Sequence, residues 1–90
     1  GDVRRLRYAI GGDELDLEIE PVSAGAFALR GQLAAPAPAM CRVHGTASGE
    51  RFEARVDADG LFAVESLPAG AWSLTIETPG AAYRLPEFVP

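Results

Sequence analysis

Cys41 and His44 are the pair whose types most readily suggest catalysis, because a thiol with an imidazole in reach is the minimum for a thiolate nucleophile. Their spacing argues against it. Both lie in an alternating segment that reads as a strand, where residues three apart project to opposite faces. Cys41 therefore reads as a small core hydrophobe and His44 as a surface residue. Asp57, Asp59 and Gly60 match the opening of a calcium loop, but Leu61, Ala63 and Leu67 supply no side-chain oxygen where more ligands are needed. One His and one Cys cannot complete a structural zinc site. Ser23, Ser48, Ser66 and Ser73 lack a nucleophile elbow, and His44 is the only base they could share. Glu18 and Glu20 lie on a face where solvent keeps both ionised, which does not suit acid catalysis. There is no Gly-rich phosphate loop. The chemistry-bearing residues thus point to a chain that is not an enzyme and holds no metal or cofactor.

The elements that would carry these residues are strands. Leu6, Tyr8 and Ile10 alternate with Arg5, Arg7 and Ala9, and Leu15, Leu17 and Ile19 alternate with Asp16, Glu18 and Glu20. A type II′ turn at Gly12-Asp13 predicts a hairpin with Tyr8 opposite Leu17 and Leu6 opposite Ile19. It also sets Arg7 opposite Glu18 and Arg5 opposite Glu20, so the basic N-terminal residues read as solvated partners of an acidic strand.

Phe27, Leu29 and Leu33 make a third strand, ending at the Ala-Pro stretch from Ala34 to Ala39, whose two prolines bar a central strand and suggest a surface connection or an edge. Cys41, Val43 and Gly45 form the inward set of a fourth strand, and Phe52, Ala54 and Val56 that of a fifth. The turn Asp57-Ala58-Asp59-Gly60 predicts a three-residue hairpin loop that sets Phe62 opposite Val56 and Val64 opposite Ala54. Leu67-Pro68-Ala69-Gly70 turns the chain into the strand of Trp72, Leu74 and Ile76, and Tyr83 and Leu85 make a last short one before Pro86.

Seven or eight short strands about ten residues apart, punctuated by Gly and Pro, are the pattern of an all-β fold, a small antiparallel β-sandwich. Ninety residues fit a single domain, residues 1–90, and the absence of a starting Met reads as a module cut from a longer protein. The net charge of −5, with eight Arg and no Lys, lacks the electrostatic footprint of nucleic-acid binding. No apolar run approaches the roughly 20 residues of a membrane helix, so membrane insertion is not expected. A single cysteine rules out an intrachain disulfide and leans the chain towards a reducing, cytoplasmic compartment.

Arg30-Gly31-Gln32, then Asp57-Ala58-Asp59-Gly60-Leu61-Phe62, then Leu67-Pro68-Ala69-Gly70-Ala71-Trp72-Ser73-Leu74 follow a familiar order. The chain resembles the carboxypeptidase-regulatory-like domains, a transthyretin-like (prealbumin-like) group of sandwiches related in architecture to Ig-like folds. The resemblance covers residues 27–90 and leaves residues 1–26 as an N-terminal hairpin. It implies a non-catalytic accessory module serving as spacer, folding support or binding unit. Related Cna-B-type domains carry Lys-Asn isopeptide bonds, which this chain cannot form because it has neither residue.

The function expected from these residues is protein–protein interaction or structural support, with a protein partner or a neighbouring domain of the same chain. Arg5, Arg7, Phe88 and Val89 are the candidate contact residues. Phe88 and Val89 would form an apolar patch near the chain end unless they fold back into the core. The alternative is a carbohydrate-binding module in which Trp72 and Tyr83 stack on a sugar ring. Against it, Trp72 keeps register with Leu74 and Ile76 and so shares their buried face.

Overall fold

The computed structural model describes residues 3–34 and 39–90, and in them the chain is a β-sandwich of two four-stranded antiparallel sheets. The strands are β1 (Arg4–Ile10), β2 (Asp13–Ser23), β3 (Ala26–Leu33), β4 (Ala39–Gly45), β5 (Arg51–Val56), β6 (Leu61–Pro68), β7 (Trp72–Thr78) and β8 (Ala81–Arg84). One sheet has the order β1-β2-β3-β6 and the other β5-β4-β7-β8. Period-two alternation turns one face of each sheet inward, and Leu15, Leu17, Leu29 and Leu67 meet Cys41, Val43, Leu74 and Ile76 in a closed apolar core. No helix among the described residues is long and apolar enough to cross a membrane.

The first hairpin forms with a different register from the expected one. Its turn is Gly11-Gly12, both at positive φ (53° and 85°), and not Gly12-Asp13. Two consecutive left-handed residues are what a type I′ turn needs, and its twist suits the flanking strands. Tyr8 consequently lies opposite Leu15, Leu6 opposite Leu17, Arg7 opposite Asp16 and Arg5 opposite Glu18. The slip is by two residues, so every side chain keeps its expected face.

The Asp57–Gly60 turn also differs from expectation. It joins β5 of one sheet to β6 of the other, so the pairings of Phe62 with Val56 and Val64 with Ala54 do not occur. Phe62 pairs with Gly31 and Val64 with Leu29. The Asp57 N–H donates to the Leu61 carbonyl (2.9 Å), after which the strands diverge into separate sheets. Asp57 Oδ1 accepts from the N–H groups of Asp59 and Leu61, both at 2.9 Å, and holds this corner. Asp57→Ala is expected to lower stability by about 1–2 kcal/mol, since two backbone donors lose their acceptor. Urea denaturation of the variant checks this, and an unchanged midpoint would contradict it.

Along β6, Glu65 and Ser66 together oppose Ala28, a bulge that returns Leu67 to the core after Val64 despite their odd spacing. The strands flanking the Ala-Pro stretch, β3 and β4, are both interior to their sheets, which corrects the expectation of an edge there. Residues 35–38 themselves lie outside the described residues. The C-terminal segment closes the flank beneath β1: Phe88 exchanges two backbone hydrogen bonds with Trp72 (2.9 Å each), and Arg4 Nη1 donates to the Val89 carbonyl (2.6 Å).

Candidate functional site

The alternation of β4 separates the two residues of the thiol–imidazole pair. Cys41 is 0% exposed between Ala54 and Ile76, and His44 lies on the outer face between Arg51 and Ser73. Burial pushes the Cys41 thiol from 9.0 up to about 12, so the thiolate needed for nucleophilic attack is disfavoured. Because the folded chain holds this proton more tightly than the unfolded chain, its contribution to stability is full below pH 9.0 and is lost as pH rises from there towards about 12. A Cys41→Val variant, with no proton to lose, is expected to show a shallower alkaline loss of stability than the wild type. Equal losses across that window would contradict this account.

Asp57 and Asp59 stand in the β5–β6 corner, where Asp57 Oδ1 is engaged by the backbone N–H groups of Asp59 and Leu61. Among the described residues no three of His, Cys, Asp and Glu are grouped to hold a metal ion.

Trp72 and Tyr83 do not form a platform. Trp72 is 2% exposed, its Nε1 donates to the Pro68 carbonyl (2.9 Å), and its ring meets Phe52 at 5.6 Å with the planes tilted by 56°. Tyr83, on β8, is half-buried against the backbone of Gly11 across the mouth of the sandwich. A sugar ring needs an open aromatic face, and Trp72 offers none. Of the apolar pair near the chain end, Phe88 is 5% exposed and belongs to the core, while Val89 is 56% exposed.

The outer faces are ladders of charge. Arg5 pairs with Glu18 (3.4 Å), Arg7 with Asp16 (2.7 Å) and Arg30 with Glu20 (2.7 Å) on one sheet. The hydrogen bond that Arg7 donates to Asp16, then the charges of Asp16 and Glu14, raise the Arg7 guanidinium above its ordinary value. On the other sheet Arg42 bridges Glu53 and Glu77, the latter at 2.6 Å. Arg5 and Arg7 are therefore neutralised by their own sheet. Exposed pairs of this kind contribute under about 1 kcal/mol each.

What remains is the backbone at the sheet edges, and the four edges differ. Edge β1 pairs with β2 without a bulge, but its outward charges, Arg5 and Arg7, are of one sign and are already matched by Glu18 and Asp16 of β2. At the start of β6 both backbone groups of Leu61 are taken by Asp57, and its far half is bulged. Strand β8 has 4 residues and runs into Pro86. Strand β5 runs in unbroken register with β4, without bulge or proline, and its outward residues Arg51, Glu53 and Arg55 carry charges of both signs.

The phase of its hydrogen bonds follows from the adjoining turn. The Gly45 N–H donates to the Glu50 carbonyl (2.8 Å), which fixes Phe52, Ala54 and Val56 as the residues bonded to β4. Arg51, Glu53 and Arg55 therefore turn both N–H and C=O outward from the sheet. Beside them the side chains of Phe52 and Ala54 are only half-buried. Over the same end of the sheet lies a shallow depression of about 480 Å³ that includes Arg51, Phe52 and His44. Arg51 and Arg55 make no ion pair among the described residues. The sequence marked the alternation of β5 but not its place at an edge, because the Asp57–Gly60 turn read as a hairpin that would have covered it.

Compared with known protein families, curated proteins and solved structures, the chain matches none.

Proposed function

We propose that this chain is a non-catalytic accessory β-sandwich that engages a protein partner, or a neighbouring domain of its own chain, by strand addition at the β5 edge. The observation that carries the reading is the row of outward backbone groups at Arg51, Glu53 and Arg55, flanked by the half-buried Phe52 and Ala54. An added strand gains affinity from main-chain hydrogen bonds and selectivity from alternate side chains. Likeness to the carboxypeptidase-regulatory-like domains is part of the same proposal. In its favour, the Gly of Arg30-Gly31-Gln32 and the Phe that follows Asp57-Ala58-Asp59-Gly60 are cross-strand neighbours, with the Phe62 ring lying over Gly31.

The test is Glu53→Pro. The Glu53 N–H faces away from β4, so proline there removes an edge donor without breaking the internal ladder. Proteins retained by the immobilised wild-type chain are expected to be lost with the variant, while its far-UV circular dichroism stays unchanged. Retention of the same proteins by Glu53→Pro would overturn the assignment to this edge.

A further inference from the structure

The charges along β5 are self-complementary in a way that names a specific partner. Read along the free edge, the outward residues are Arg51, Glu53 and Arg55, alternating positive, negative, positive. Suppose two β5 strands meet antiparallel with Glu53 opposite Glu53. Arg51 then faces Arg55, every directly opposed pair carries like charges, and the register is destabilised. If the centre moves by one residue to Phe52, the pattern inverts: Arg51 faces Glu53 of the second copy, and Glu53 faces its Arg51. Both positions have outward N–H and C=O groups, so they fall where an antiparallel ladder makes its close hydrogen-bonded pairs. Phe52 then meets Phe52 across the two-fold axis as a non-hydrogen-bonded pair, the kind with the shorter Cα separation.

Moving the centre the other way, to Ala54, also alternates the charges, and each register ends on an amide already engaged, the Asp57 N–H by Leu61 in one and the Gly49 N–H by Gly45 in the other. What separates them is the axis, where the Ala54 register places Ala54 and the Phe52 register a half-buried aromatic ring. Edges β1, β6 and β8 offer no such self-match, for the reasons given above.

We propose that two copies of this chain associate through β5, in antiparallel register about Phe52, joining their β5-β4-β7-β8 sheets into one continuous sheet of eight strands. The proposal rests on the reading of β5 as the open edge and adds the identity of one occupant. Arg42 already contacts one oxygen of Glu53, so that carboxylate would be shared between Arg42 of its own sheet and Arg51 of the second copy. An isologous contact of this kind closes on itself and produces a dimer, not a fibre.

The experiment is sedimentation equilibrium of the wild type and of three variants, across the micromolar to millimolar range. The wild type is expected to reach twice the mass of one chain. Arg51→Glu places Glu against Glu at both contacts, and Glu53→Arg places Arg against Arg. Each variant alone is expected to stay monomeric, with the circular dichroism of the wild type. Mixed in equal amounts, the two restore opposite charges at every contact and are expected to form a heterodimer. Arg55→Glu changes the net charge as much as Arg51→Glu but lies outside the paired residues, so it is expected to dimerise like the wild type.

A wild type that is monomeric throughout overturns the proposal, as does a mixture that stays monomeric or an Arg55→Glu variant that dissociates. These outcomes are distinguishable from failure of the broader reading. A monomeric wild type that still retains other proteins, and loses them on Glu53→Pro substitution, keeps β5 as a docking edge and removes only the second copy as its occupant.

Discussion

Trp72→Ala is expected to cost about 3–5 kcal/mol of folding stability, the range for removing a buried aromatic ring whose site cannot collapse. The ring is 2% exposed, packs against Phe52 at 5.6 Å and lies beside Gly45, so its loss empties the end of the core nearest the β4–β5 turn. It also leaves the Pro68 carbonyl without its indole donor at the point where the chain crosses from β6 to β7. Small domains have total stabilities of roughly 5–15 kcal/mol, so such a loss approaches the whole margin. Trp72→Phe keeps most of the ring and removes only the donor, and is expected to cost about 1–3 kcal/mol. Urea denaturation of the pair, with unchanged m-values, measures both. A Trp72→Ala loss below about 1 kcal/mol would mean that the ring is not enclosed as described.

Gly31→Val is the second large effect, and it acts by overpacking. The Phe62 ring occupies the space a side chain at Gly31 would need, with ring atoms closer to an added Cβ than any van der Waals contact allows. Both positions are on the inner face of the same sheet and face each other across the β3–β6 ladder. The ring can move only into Leu29, Leu33 or the opposing sheet, all closely packed. A destabilisation of about 3 kcal/mol is expected. The mechanism is separable from a general intolerance at Gly31 by a double-mutant cycle. With Phe62→Leu, which vacates the space, Gly31→Ala is expected to cost about 1–2 kcal/mol less than in the wild-type background. Additive costs would contradict the claim that Phe62 is what excludes a side chain from Gly31.

How far these features were legible in the sequence depends on what each one required. Period-two alternation was enough for the strands and their inner faces, because Leu15, Leu17 and Ile19 or Trp72, Leu74 and Ile76 have only one way to share a buried face. Opposite faces for Cys41 and His44 followed from the same parity. The first hairpin's register did not follow, for a physical reason. A slip of two residues preserves parity, and with acids at Asp16, Glu18 and Glu20 alike, Arg5 and Arg7 meet a carboxylate in either register. What decides it is the preference of the two adjacent glycines for a type I′ turn.

The β5–β6 corner was illegible for a related reason. Asp57 to Gly60 has the chemistry of a hairpin loop, and Val56 and Phe62 face inward whether the next strand pairs with β5 or crosses to the other sheet. Local turn chemistry does not carry that long-range choice. The candidate site inherits this, because β5 is an edge only if β6 leaves it. The contact residues suggested by sequence, Arg5 and Arg7, are instead paired with Glu18 and Asp16, and Phe88 is spent on the core.

The proposed working surface of this protein is the backbone of one strand edge, and amide hydrogen exchange read residue by residue tests that most directly. In dilute solution Arg51, Glu53 and Arg55 are expected to exchange quickly and Phe52, Ala54 and Val56 slowly, the alternation set by the Gly45–Glu50 hydrogen bond. As protein concentration rises, Arg51 and Glu53 are expected to become protected while the amides of β1, β6 and β8 keep their rates. Uniform exchange along β5 in dilute solution, or protection that grows at β1 or β8 and leaves Arg51 and Glu53 unchanged, would contradict it.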